Sequence, residues 1–193
     1  MDSLCVFCGS REGGNPAHRE AADALGRELA RRDVTLVFGG GGVGLMGVLA
    51  RAVLDADGDV VGVIPEALRE RERPPAGLTE LHVVESMHER KRTMFDRSEG
   101  FLALAGGLGT LEELFEMLTW AQLGIHDYPV GLLNVDGYYD DLLSFVDGAV
   151  ADGYVPADHR ELLTVGDTPT DVLDALERYE PAERRAWLDD HEG

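Results

Sequence analysis

A chain of 193 residues has the length of one domain and room for a buried core. Its 44% hydrophobic content is ordinary for a globular protein, and no apolar run reaches the roughly 18 residues of a membrane span, so global disorder and a transmembrane helix are excluded. Seventeen basic against 37 acidic residues give a net charge of −20, the wrong sign for a general nucleic-acid binder.

The chain opens Met1-Asp2-Ser3-Leu4, with an acid where a signal peptide carries basic residues, so a cytoplasmic location is expected. Residues 4–8 form an apolar run of buried-strand length and end in the turn Cys8-Gly9-Ser10. Cys5 and Cys8 spell C-x-x-C, but on a strand residues three apart face opposite ways, so two core thiols are expected rather than a redox pair. Ser10 is a candidate phosphate or ribose contact, although a Gly-Ser turn is often only a turn.

A helix is predicted over 16–32, opened by Pro16, and a strand over 34–38. The next turn holds six glycines in positions 39–47 and leads into a helix over 45–56. Backbone amides there can surround an anion, making Gly40, Gly41, Gly42 and Met46 candidate substrate contacts. Gly42, Gly44 and Gly47 also spell G-x-G-x-x-G, with Glu66 19 residues further on, a dinucleotide pattern in the wrong place because it follows the second strand.

A strand over 60–64 and a weaker, peripheral one over 81–84 precede a helix over 87–97. That helix begins Met87-His88-Glu89-Arg90-Lys91-Arg92, a basic cluster containing the only lysine among 17 basic residues. Its bland reading is a solvated helix face; its functional one is anion binding, by the planar fork of Arg90 and the point charge of Lys91.

A strand over 101–104 runs into Ala105-Gly106-Gly107-Leu108-Gly109-Thr110, and a helix is predicted over 110–123. Thr110 and Glu113 have capping-box spacing, so Glu113 is either a helix cap or a carboxylate facing a sugar phosphate. In the second case it would stabilise an oxocarbenium-like transition state and guide the attacking water. Strands over 130–135 and 162–165, helices over 138–151 and 169–179, and a charged tail over 181–193 complete the chain.

Such βα alternation predicts an α/β fold: a doubly wound, mostly parallel, Rossmann-like sheet with helices on both faces, in one domain spanning 1–180. Ligands of such sheets bind beyond the carboxyl ends of the strands, where the three glycine turns fall.

These motifs resemble those of the LONELY GUY family of cytokinin riboside 5′-monophosphate phosphoribohydrolases, whose members are often mislabelled lysine decarboxylases. The family's P-G-G-x-G-T-x-x-E corresponds to Ala105–Glu113, its M-H-x-R-K to Met87–Lys91, and the segments 39–47 and 119–139 are similar too. The resemblance implies Arg90 and Glu113 as the catalytic pair, with Glu112 aiding Glu113. It implies Gly106, Gly107, Gly109 and Thr110 as the phosphate cradle, and Glu72 as a substrate-contacting acid. It further implies a nucleoside 5′-monophosphate substrate, a dimer or multiple of dimers, and no cofactor or metal. Ala105 departs from the motif's proline, which loosens the turn.

A pyridoxal-phosphate decarboxylase would need a Schiff-base lysine, for which Lys91 alone is available inside an anion-binding cluster. A P-loop enzyme is excluded because no Gly-Lys-Ser/Thr occurs. The remaining rivals are a non-catalytic nucleotide or pterin-cofactor carrier, which would not need the Arg90/Glu113 pair, and a weaker one, an NAD-binding oxidoreductase without a second domain. The acid-rich, lysine-poor composition also predicts a salt-rich cytoplasm, with a GC-rich genome as the competing explanation.

Overall fold

The structure, a computed structural model, describes residues 1–181. All but the first residue of the predicted charged tail (181–193) lies outside the described residues.

Seven strands form one wholly parallel sheet: β1 (Ser3–Phe7), β2 (Thr35–Phe38), β3 (Val60–Pro65), β4 (Glu80–Val84), β5 (Phe101–Ala103), β6 (Val130–Leu133) and β7 (Leu163–Gly166). Their spatial order is β4-β3-β2-β1-β5-β6-β7. The chain therefore lays strands outward from β1 in one direction, then returns to β1's other edge at β5. The crevice between β1 and β5 is the switch point of the sheet, where a ligand site is expected. Here Gly9 N donates to Ala105 O at 3.0 Å, tying the first and third glycine turns together.

Period-two alternation divides the apolar residues of β1, β2, β3, β5 and β6 between two cores. Leu4, Val6 and Cys8 pack with α1 (Pro16–Arg31), α2 (Gly44–Leu54) and α8 (Pro169–Glu177). Cys5 and Phe7 pack on the opposite face with α4 (Met87–Asp96) and α5 (Leu108–Gln122). Both thiols are free and buried, and burial pushes each well above the ordinary cysteine range, so neither is an activated redox thiol. β4 lies at the sheet edge with most of its side chains half-buried or exposed, as the weak apolar signal predicted.

Two helices have no counterpart in the sequence reading. α3 (Glu66–Glu72) has no buried residue, and the four-residue α7 (Ala157–Arg160) is a single turn. Neither is long enough to show an apolar stripe. α6 (Asp140–Ala151) follows a 3-10 turn over Val135–Gly137. No helix among the described residues is long and apolar enough to cross a membrane.

Candidate active site

The carboxyl ends of β1, β2 and β5 open into a cleft of about 330 Å³, within the usual range for a small-ligand site. Ser10, Met46, Glu72, Arg90, Gly107, Gly109, Thr110, Glu112 and Glu113 all line it. Residues scattered over 104 positions of sequence thus converge because three strands end side by side.

Arg90 reaches the cleft from the first turn of α4. Ser86 Oγ caps that helix by accepting from Glu89 N (3.1 Å), while Glu89 Oε2 accepts from Glu85 N (2.8 Å). Arg90 itself is 9% exposed, so the solvated-face reading fails for it. That reading holds for Arg92, which pairs in solvent with Asp96 at 3.0 Å. Arg90 Nε donates to Val63 O (3.3 Å), and its guanidinium lies against Gly39, where a Cβ would fall on Nη2.

Glu113 faces Arg90 from α5, with Nη1 to Oε1 at 3.3 Å and both side chains 11% exposed. The capping-box reading of Glu113 does not survive. α5 starts two residues earlier than predicted, with Gly107 as N-cap and no side-chain cap, so Thr110 is already inside the first turn. Burial pushes the Glu113 carboxyl up to about 7, opposed by Arg90 and reinforced by Glu112 and Glu116. A carboxyl at that value exchanges protons near neutral pH, as an acid–base group must.

The α5 N-terminus opens on the same cleft. Helix geometry leaves its first amides without intrahelical partners, and the helix dipole adds partial positive charge there. Nothing approaches within 4 Å of where a Cβ of Gly107 or Gly109 would stand. This is an anion-accepting surface beside a buried carboxyl–guanidinium pair.

Other candidates are placed elsewhere. The Gly40–Gly42 backbone does not line the cleft, and amides of this turn and of the start of α2 are used within the protein. Gly42 N donates to Glu72 O (2.7 Å), and Leu45 N donates to Gly9 O (3.0 Å). This turn binds the protein to itself, because tight packing and anion binding call for the same glycines. Gly106 lines a neighbouring cleft of about 370 Å³ together with His18 and Tyr138, and Ser10 and Gly107 are shared by both clefts. Lys91 does not reach the ligand cleft. Its Nζ is held by Glu112 (2.5 Å) and Glu116 (2.9 Å), which leaves it unsuited to form a Schiff base.

Several residues of this region were not among the candidates. Gly39 seats Arg90, Leu68 of α3 and Met87 of α4 line the cleft, and Tyr138 donates to Gly106 O at 2.7 Å. A glycine at a strand end and apolar residues on short helices carry no chemical signal by themselves.

Comparison with known proteins agrees with this architecture. Residues 46–176 match the family described as possible lysine decarboxylase. Among curated proteins, the chain is similar to cytokinin riboside 5′-monophosphate phosphoribohydrolase LOG3 of Arabidopsis thaliana, 49% identical over 94% of this chain and 85% of the relative. It is 53% identical to the probable cytokinin riboside 5′-monophosphate phosphoribohydrolase LOGL9 of Oryza sativa subsp. japonica, over 92% of this chain and 78% of the relative.

Among solved structures, the molybdenum cofactor binding protein of Rippkaea orientalis shares the fold with a TM-score of 0.69 at 21% identity, over 92% of this chain and 96% of that one. The molybdenum cofactor carrier protein of Chlamydomonas reinhardtii does so at 0.67 and 18%, over 92% and 97%. At such identities the likeness concerns the fold alone. With half of its residues shared along most of both chains, the protein belongs to the family of the cytokinin riboside 5′-monophosphate phosphoribohydrolases.

Proposed function

We propose that the protein hydrolyses the N-glycosidic bond of a nucleoside 5′-monophosphate, AMP or a cytokinin riboside 5′-monophosphate, to free base and ribose 5-phosphate. The observation that carries this reading is the buried Arg90–Glu113 pair, 3.3 Å apart, at the mouth of the α5 helix. Family membership gives it independent support.

The 5′-phosphate sits at the α5 N-terminus, among Gly107, Gly109 and Thr110, with Gly106 and Ser10 behind it. Phosphate binding fixes the ribose, so binding energy is used at the reacting carbon. Ionised Glu113 stabilises positive charge at the anomeric carbon as the bond to the base breaks. It then takes a proton from the water that attacks that carbon. The bond's electron pair leaves with the base, which takes a proton from water at a ring nitrogen. Arg90 anchors the substrate and keeps Glu113 partly ionised. Glu112 acts on Glu113 through its charge, and Glu72 and Met46 lie along the wall left for the rest of the nucleotide.

The test is incubation with AMP or adenosine, followed by chromatography of the released base. Adenine is expected from AMP, with adenosine a poor substrate. Equal turnover of both would remove the phosphate anchor. AMP binding without base release would leave a nucleotide carrier instead.

The wider setting follows the same reading. We place the protein in a cytoplasm, in keeping with its two free thiols. Exposed Phe145 and Tyr154, 71% and 85% accessible, support self-association into dimers or multiples of dimers, to be measured by light scattering. The acid-rich surface fits a salt-rich interior.

A further inference from the structure

Between β5 and α5 the chain passes through Leu104-Ala105-Gly106-Gly107, and the carbonyls of the first three residues are all held. Leu104 O accepts from the Tyr139 hydroxyl at 2.6 Å. Ala105 O accepts from Gly9 N at 3.0 Å, and Gly106 O accepts from the Tyr138 hydroxyl at 2.7 Å. The Tyr139 hydroxyl thus holds the carbonyl just before Ala105, and the Tyr138 hydroxyl the one just after it.

The consequence follows from peptide planarity. In a trans peptide the C=O of one residue and the N–H of the next point in opposite directions, and no peptide here is cis. Holding Gly106 O on Tyr138 therefore turns the Gly107 N–H away from Tyr138. A Gly-Gly peptide has little steric resistance to flipping, and a flip would replace an N–H at the α5 mouth by a carbonyl oxygen that repels an anion. The motif's proline would stiffen the turn, but Ala105 leaves that task to the hydroxyls.

Both tyrosines come from the segment joining β6 to α6, which is itself braced. Asn134 Oδ1 accepts from Tyr139 N and Asn134 Nδ2 donates to Asp140 Oδ1, each at 2.8 Å. His18 packs edge-on against Tyr138 with ring centroids 4.9 Å apart, and the two tyrosine rings lie 4.7 Å apart.

We infer that Tyr138 and Tyr139 are positioning residues that set the peptide orientation of the phosphate cradle, acting on substrate through the Gly106–Gly107 backbone. The inference rests on the phosphoribohydrolase reading for the identity of the anion. It requires only that the α5 mouth hold a phosphate.

Tyr138→Phe keeps the ring contacts and removes one hydroxyl, and Tyr139→Phe does the same at the buried position. Each variant is measured for kcat and KM with AMP, and for calorimetric binding of ribose 5-phosphate. The expected result for Tyr138→Phe is a KM about tenfold higher, a parallel loss of ribose 5-phosphate affinity, and kcat within about twofold of wild type. A structural role alone would lower the melting temperature without this split.

Normal KM and normal ribose 5-phosphate affinity in Tyr138→Phe would overturn the inference, whatever Tyr139→Phe does, and would leave the hydrolase reading standing. No hydrolysis by the wild type, together with weaker ribose 5-phosphate binding in Tyr138→Phe, would overturn the hydrolase reading and support the inference. No ribose 5-phosphate binding by the wild type would overturn the inference.

Discussion

Glu113 is the residue on which chemistry and stability oppose each other. Burial holds its carboxyl at about 7, above the ordinary value of 4.5, so ionising it costs the folded state. A raised carboxyl favours folding fully only while it is protonated in both states. Its contribution is lost as pH rises from about 4.5 through about 7, and amounts to on the order of 3 kcal/mol. Glu113→Gln removes that charge. Its melting temperature should match the wild type near pH 4.5 and exceed it above pH 7. Its kcat should fall 10²–10³-fold, about 3–4 kcal/mol of lost charge stabilisation. In the wild type kcat/KM should rise with pH through about 7, and the variant should lack that limb. Near-normal kcat in the variant would remove Glu113 from the mechanism.

At the scale of elements, the three glycine turns divide the work. The turn after β5 presents a helix mouth to the cleft, while the turn after β2 packs α2 against β1. Two alanine substitutions in the second turn separate site from scaffold. At Gly39 a Cβ would collide with the far end of a side chain, the Arg90 guanidinium. Gly39→Ala should therefore displace Arg90 and lower kcat/KM by more than about tenfold, with a small change in stability. Gly44 has φ of 61°, and its Cβ would meet the Ser10–Arg11 backbone. Gly44→Ala should cost more than about 2 kcal/mol in urea unfolding. If the two effects came out reversed, the division of roles would be wrong.

Across the whole molecule the dominant feature is charge. A net −20 on a chain of 193 residues repels itself over roughly 10 Å at 0.1 M salt, but only about 3 Å at 1 M. Much of the basic complement is already paired, as where Arg32 joins Glu28, Asp174 and Glu177. The melting midpoint should climb across a potassium chloride series from 0.1 M to molar concentrations. A flat or falling midpoint would favour genome composition as the origin of the arginine bias.

Sequence alone determined the order of the strands and of the six longer helices, because buried parallel strands and amphipathic helices carry their periods in the chain, whereas the short α3 and α7 carry none. It marked Arg90 and Glu113 as candidates, since a basic cluster in an acidic protein and an acid beside a glycine turn stand out locally. What it left open at Glu113, cap or catalyst, turned on where α5 begins, and the helix starts at Leu108 with Gly107 as its cap, which puts Thr110 inside the first turn. Lys91 had the same local signal as Arg90, yet one residue's rotation on α4 sent it to Glu112 and Glu116 instead of the cleft. The tyrosine clamp was illegible, because it joins residues more than 30 positions apart that meet only when β5 and β6 lie side by side. Local pattern encodes elements, whereas partner choice between distant residues is decided by which strand ends the sheet brings together.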